Sequence, residues 1–476
     1  MKRKLFFVQT LFLIVSPSAV FASAIATSSP EASDVGAAIL RAGGSAVDAA
    51  CAAGFVLNVT QSYFVGVGGG GFAIVTNENR SKFFDFREQA TSSTAESNFL
   101  DHDLKPIENF ATKNTGASSV GIPGFVAGCG VMHKKYGKLP WDQVLAPAIK
   151  LAKSGYPVSQ MYQEELADQW KRINKFDATK KLFGGKSGDG LQKDELFTQP
   201  LLARTLEKIS KQGHTAFYEG SVAKNWLSEL KPLGVKINEA DLKKYRVSVK
   251  EPVHFNVNFR KDEKIKGITA ILPSSAGITV ASALRYLSYY HKKNGVPAVD
   301  SVRRQIVMIE VLKHFAELRN SKVSDFIRSK IVPENFLDTQ FEKEEFRKID
   351  LAIQERLGRV SGETKIKLQE SKQLKENAKQ SHTAHISVVD DAGMSVAFTS
   401  SVGAVFGSGL TLPKPGFVLS STMADFDSDP SSINAPRAGS RPRSNMSPTI
   451  IFSEKDGALE PIAVVGAAGG ELIPEA

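Results

Sequence analysis

At 476 residues, 42% hydrophobic and 23% charged, the chain has the balance of an ordinary globular protein and the length for two or three domains. The formal charge is +10, and Lys2, Arg3 and Lys4 of the N-terminal segment account for three of those charges, leaving +7. The remaining cations are interleaved with Asp and Glu, which excludes a basic stripe for nucleic acid.

The first residues, MKRKLFFVQTLFLIVSPSAVFASA, join a basic start to an apolar stretch over 5–15 and a small-residue end. That pattern predicts a secretory signal peptide over 1–24, cut after Ala22 or Ala24. The apolar run is too short to span a bilayer, so a secreted or periplasmic protein without a stable membrane anchor is expected. Residues 32–60 read as two helices, with Gly43 and Gly44 as the stop between them. A formal G-x-G-x-x-G follows at 66–71, but a dinucleotide site needs a strand before it and a helix after it. Here a helix precedes and the strand-like FAIVTN follows, so the glycines are expected to make a tight helix-to-strand turn. KFFDFREQA then reads as a hairpin partner for FAIVTN.

Residues 125–153 are predicted helical, with further helices to about 247. VHFNVNF and GITAILPSSAGITVASALRYL return to strand, turn and helix, and an amphipathic helix is expected over 302–319. Cys51 and Cys129 lie in apolar, helix-like surroundings and are expected as buried thiols; their spacing fits no zinc motif. No His/Cys cluster, G-x-S-x-G elbow or phosphate-binding loop occurs, so no metal and no nucleotide chemistry is expected.

Residues 361–382 are charged and nearly free of large apolar side chains, which predicts an exposed, mobile segment. At Thr383 the period changes to two: Thr383, His385, Ser387 and Val389 share one face, Ala384, Ile386 and Val388 the other. MSVAFTSS repeats the alternation after DDAG, so a β-hairpin begins at Thr383. A threonine hydroxyl is a poor nucleophile unless a base lies beside it, and a freed α-amine, titrating near neutrality, is such a base. A cut between His382 and Thr383 would supply it; the plain alternative is a strand-start threonine.

The run TAHISVVDDAGMSVAFTSSVGAVFGSG, followed by GFVLSSTMADF, RPRSNMSPTI and VVGAAGG, resembles the γ-glutamyltranspeptidases. ILRAGGSAVDAA, GVGGGGF, DFRE, GIPGFVAG and LPSSAGI carry the likeness, in family order, over about 32–470. The resemblance implies an α+β protein of N-terminal nucleophile hydrolase type, a four-layer αββα sandwich with antiparallel sheets. It implies a precursor cut into a large subunit (25–382) and a small one (383–476), with no cofactor. By match, Thr383 is the nucleophile and Ser401 the hydroxyl that positions it. Arg87 would take the substrate's α-carboxylate, unless it only makes a surface ion pair with Asp85 or Glu88. Asp425 would take the α-ammonium, Ser444 and Asn445 would add hydrogen bonds to the carboxylate, and Gly469 and Gly470 would offer N–H groups to an oxyanion.

Several positions depart from the family pattern. Gly403 stands where many members carry asparagine, Asn445 where a second serine is frequent, and Thr422 where some have glutamine. The short loop between Asp425 and Arg441 resembles members without a lid and predicts an open cleft. The chain stops just past the glycine pair, where members continue by roughly ninety residues, so an apparently truncated small subunit with uncovered sheet edges is expected. The activity implied is γ-glutamyl hydrolysis or transfer, from glutathione or another γ-glutamyl amide to water, an amino acid or a peptide. A poly-γ-glutamate depolymerase, a β-lactam acylase relative, or an uncleaved inactive homologue are the alternatives; Arg87 and Asp425 argue against the acylase.

Overall fold

The computed structural model describes residues 23–78, 80–259, 265–325, 338–359, 383–455, 458–470 and 473. The signal segment up to residue 22, the polar run 361–382 and His382 lie outside the described residues. Among the described residues twelve strands are formed: β1 (Ala24–Ala26), β2 (Gly70–Asn77), β3 (Arg80–Asp85), β4 (Tyr156–Pro157), β5 (Leu196–Phe197), β6 (Ser248–Lys250), β7 (Val253–Val257), β8 (Ile265–Thr269), β9 (Ala384–Val389), β10 (Ser395–Ser401), β11 (Thr449–Lys455) and β12 (Ala458–Val465). All but β4 and β5 fall into two antiparallel sheets, one of order β1-β9-β10-β2-β3-β6 and one of order β12-β11-β8-β7.

Period-two alternation splits the central strands between two cores. Ala73, Val75, Phe84, Ile386, Val388, Val396 and Phe398 point to a first core shared with helices Ala46–Thr60, Phe125–Tyr136, Trp141–Ser154 and Pro200–Gln212. Phe72, Ile74, Phe83 and Ala397 point the other way, joining Phe255, Ile268, Ile450 and Phe452 of the second sheet and helices Ser275–Asn294, Val302–Lys322 and Thr339–Arg359. The layers are therefore helices, sheet, sheet, helices: the αββα sandwich expected.

Local chemistry fixes the elements. Helix Pro30–Arg41 begins with Pro at its first turn and Ser29 accepting from Ala32 N–H at 3.2 Å. Helix Ala46–Thr60 opens on a capping box between Ser45 and Asp48. Every residue of that helix is buried, which explains its Ala-rich, evenly apolar composition. The turn after it brings Gly68, Gly69, Gly70 and Gly71 against other backbone; a Cβ on Gly68 would stand 2.2 Å from Val418 O. The glycines thus serve the helix-to-strand turn, and β2 follows. Cys51 and Cys129 are buried free thiols, with Cys51 Sγ 3.8 Å from Cys129 O. In the second sheet β12 is, among the described residues, an edge strand on which Ile462 and Val465 are exposed.

Candidate active site

Thr383 stands immediately ahead of β9 and is buried. The register that pairs Ser400 with Ala384 carries Ser401 to the position beside Thr383, and Ser401 pairs on its other side with Gly70. Paired residues of an antiparallel sheet project to the same face, so the Thr383 and Ser401 side chains and the vacancy over Gly70 form one row facing the second sheet.

From Ser401 the site continues through packed neighbours. Ser401 Oγ accepts from Gly403 N–H at 2.9 Å. Gly403, at φ +88°, lies against Ser421: a Cβ there would be 2.6 Å from Ser421 Oγ. The Ser421 hydroxyl accepts from Ala404 N–H and donates to Asn114 Oδ1, both at 2.9 Å. The 3₁₀ turn Thr422–Asp425 comes next, with Thr422 fully buried and its hydroxyl 3.3 Å from that of Ser420.

Asp425 is ion-paired with Arg87, whose Nη2 donates to its Oδ2. The guanidinium also donates through Nε to Pro442 O at 3.2 Å and through Nη2 to Arg443 O at 3.3 Å, while Arg87 N–H donates to Asp85 Oδ1 at 3.0 Å. Arg87 is 2% exposed, so the pair is not a surface one: Glu88 Oε2 lies 3.9 Å from Nη1 as a second, longer ion-pair partner beside Asp425. The carboxylate end of the pair is open, since the Asp425 side chain is 45% exposed. Asp85 in turn holds Arg441 at 2.6 Å.

Ser444 and Asn445 follow Arg443 and are held by the LPSSAGI turn. Ser444 N–H donates to Pro273 O at 3.0 Å, and the Ser275 hydroxyl lies 3.0 Å from Ser444 O and 3.3 Å from Asn445 Oδ1. Gly469 and Gly470 lie just past β12 with φ of +133° and +58°, backbone that favours glycine. The start of their segment sits over the strand that Thr383 begins: a Cβ on Gly466 would be 2.2 Å from His385 Nδ1.

Two groups escaped the sequence reading. His385 Nδ1 is 2.7 Å from Thr399 Oγ1 and Nε2 is 3.1 Å from Ser387 Oγ, whose proton goes to Val464 O at 2.7 Å. Ser387 can then only accept from Nε2–H, and with the ring kept neutral by burial Nδ1 accepts from Thr399. Burial pushes it down to about 3. Glu88 is fully buried, and neither carboxyl oxygen has a hydrogen-bond partner. Burial pushes that carboxyl up to about 7, against the lowering influence of Arg87 and the nearby Thr422 hydroxyl. The alternation at His385 was a usable signal; the isolation of Glu88 depends on the fold.

A buried threonine at the head of a strand, inside an αββα sandwich, is the arrangement of the N-terminal nucleophile hydrolase class. The chain belongs to the gamma-glutamyltranspeptidase family, whose model matches residues 32–476. It is 29% identical over 456 residues to a glutathione hydrolase proenzyme of Bacillus subtilis, an alignment covering 94% of this chain and 75% of that one. The solved gamma-glutamyltranspeptidase of Helicobacter pylori is 31% identical, with a TM-score of 0.63 over 70% of this chain and 93% of that one. The cephalosporin acylase of Bacillus halodurans shares the fold, with a TM-score of 0.77 at 22% identity over 99% of this chain and 82% of that one.

Proposed function

We propose that the protein is a γ-glutamyl hydrolase and transpeptidase, acting on glutathione and related γ-glutamyl amides through Thr383. The observation that carries this is the Arg87–Asp425 ion pair, linked to Ser401 through Gly403 and the Thr422–Asp425 turn. An opposed cation and anion suit one end of a ligand that carries both an α-carboxylate and an α-ammonium. Arg87 takes the carboxylate, assisted by Ser444 and Asn445, and Asp425 the ammonium.

Cleavage between His382 and Thr383 frees an α-amine, which accepts the Thr383 hydroxyl proton as Oγ1 attacks the γ-carbonyl. Ser401 orients that hydroxyl. The oxyanion formed is met by the N–H groups of Gly469 and Gly470. The α-ammonium returns the proton to the departing amine, leaving a γ-glutamyl ester on Thr383. Water or an acceptor amine then attacks the ester and the sequence runs in reverse. Large (25–382) and small (383–476) subunits come from the one precursor on this reading.

We further infer export, with a secretory signal removed. Cleavage after Ala22 leaves β1 whole, whereas cleavage after Ala24 takes its first residue. Among the described residues no helix is long and apolar enough to cross a membrane. A second reading of the donor is a polymeric γ-glutamyl chain leaving past the half-exposed Asp425, in which case the α-nitrogen is acylated and Asp425 meets an amide N–H in place of an ammonium. The test is to determine the intact masses and N-terminal residues of the purified protein and then to assay release from a chromogenic γ-glutamyl anilide. A fragment beginning at Thr383 with turnover is the expected result. A single uncut chain without turnover overturns the proposal and favours the inactive homologue.

A further inference from the structure

Glu88 has no role in the reaction above, yet it lies inside the site. Its carboxyl fills the vacancy over Gly70, the strand neighbour of Ser401: a Cβ on Gly70 would stand 2.6 Å from Glu88 Oε2. On its other flank a Cβ on Gly121 would be 3.1 Å from Glu88 Cβ. Two glycines therefore make room for an acid with 0% exposure and no hydrogen bond to either oxygen. The charged and titratable groups around it are Arg87 from its own segment, with Nη1 3.9 Å from Oε2, Asp425 from the 3₁₀ turn, and Tyr245 and Arg441 beyond them.

Arg87 serves Asp425, whose side chain is half exposed to solvent. A ligand whose ammonium draws Asp425 and whose carboxylate takes its place on Arg87 covers that end of the site. Water no longer screens Asp425, and a second desolvated carboxylate shares the guanidinium that Glu88 faces. Beyond Arg87 the neutral Thr422 hydroxyl and its own backbone N–H favour the Glu88 anion, and neither carries a charge to offset that repulsion, so the anion is the species the ligand disfavours.

We propose that Glu88 is a positioning residue for the donor's α-carboxylate: it holds a proton whenever that carboxylate occupies Arg87, so binding takes one proton from solvent onto Glu88. This rests on the reading of Arg87 and Asp425 as the site of the α-carboxylate and α-ammonium. No bond other than O–H forms or breaks. The Glu88 carboxyl already titrates near neutrality, pushed up to about 7 by burial, so the anion is present before binding and proton uptake is measurable.

The experiment is calorimetric titration of the mature protein with L-glutamate in buffers of differing ionisation enthalpy, between about pH 6 and 8.5, where the ligand's ammonium stays charged. Uptake approaching one proton is expected at the alkaline end, with Kd weakening by roughly five- to tenfold between about pH 7 and 8. The freed α-amine of Thr383 also titrates near neutrality, so the readout is a difference: folded E88Q is expected to take up about one proton fewer than the parent, with a correspondingly flatter dependence of Kd on pH. Glutamate binding to the wild-type protein without proton uptake overturns the role of Glu88 and leaves the Arg87–Asp425 reading standing, whether or not E88Q folds. An unchanged slope in folded E88Q overturns it likewise. Absence of glutamate binding at every pH overturns both.

Discussion

The glycine at 403 is the family departure with the clearest structural consequence. Placing the frequent asparagine there, Gly403→Asn, sets a Cβ 2.6 Å from Ser421 Oγ and 3.2 Å from both Ser421 C and Thr422 N. The hydroxyl must leave, which strands the buried Ala404 N–H that it accepts from and the Asn114 Oδ1 that it donates to. An unsatisfied buried donor costs about 1–3 kcal/mol, and the lost bond to Asn114 about 1 more. Asparagine tolerates positive φ better than other side chains, so backbone strain adds about 1 kcal/mol. The expected destabilisation is about 3–5 kcal/mol, read as a lowered midpoint in urea-induced unfolding. Because the collision begins at Cβ, Gly403→Ala should cost most of the same amount. The two backbone atoms belong to the turn that carries Asp425, so donor KM should rise as well. Variants G403N and G403A with midpoints equal to the parent would refute this account of the Ser421 packing.

Arg87→Lys keeps the charge but loses the planar fork that reaches Asp425 and the Pro442 and Arg443 carbonyls together; kcat/KM for a γ-glutamyl anilide should fall by roughly 10- to 100-fold, the loss of about 1.5–3 kcal/mol of charge-assisted hydrogen bonding. His385, held neutral and pushed down to about 3, contributes stability that is complete above the unfolded pKa of about 6.5 and is lost as pH falls toward the folded value. Acid unfolding between about pH 6 and 4 should therefore be shallower in H385Q than in the parent, and equal slopes would exclude the histidine as its source. Cys51 and Cys129 should resist a thiol reagent in the folded protein and react together in urea, since both are fully buried and burial pushes the Cys51 thiol well up; rapid labelling of the native protein would contradict the packing.

What could be read from the sequence was what local pattern encodes. The change from polar run to period-two alternation placed the hairpin's start at Thr383, one residue ahead of β9, and the glycine run after helix Ala46–Thr60 declared a turn because a dinucleotide loop needs the opposite element order. Thr383, Ser401, Arg87 and Asp425 were named by family likeness, and the fold brings Ser401 beside Thr383 by register and Asp425 onto Arg87 by contact. The parts that could not be read are long-range. Nothing near Arg87 in the chain announces that the carbonyls of Pro442 and Arg443 will hold it, or that Gly70 and Gly121 will leave room for Glu88. Ordinary neighbours in DFRE, Asp85 and Glu88, were the natural ion-pair partners on sequence distance. The strand end turns Arg87 toward Asp425, far along the chain, and leaves Glu88 buried at a longer 3.9 Å.

If Arg87 and Asp425 form the amino-acid site as proposed, their pairing with each other bears on selectivity. A buried guanidinium left without a carboxylate would cost several kcal/mol, and Asp425 removes that cost while remaining half open to solvent. A ligand must then return more than it breaks. One carrying both α-charges re-pairs each partner: its carboxylate replaces Asp425 on Arg87, and its ammonium compensates Asp425. One with a carboxylate alone, such as a glutaryl amide, leaves Asp425 beside a second anion. One with an ammonium alone strips Arg87 of its partner and offers none. Each failure strands or opposes a partly buried charge, so discrimination on the order of 10²- to 10⁴-fold against singly charged donors follows from the pairing without any steric exclusion.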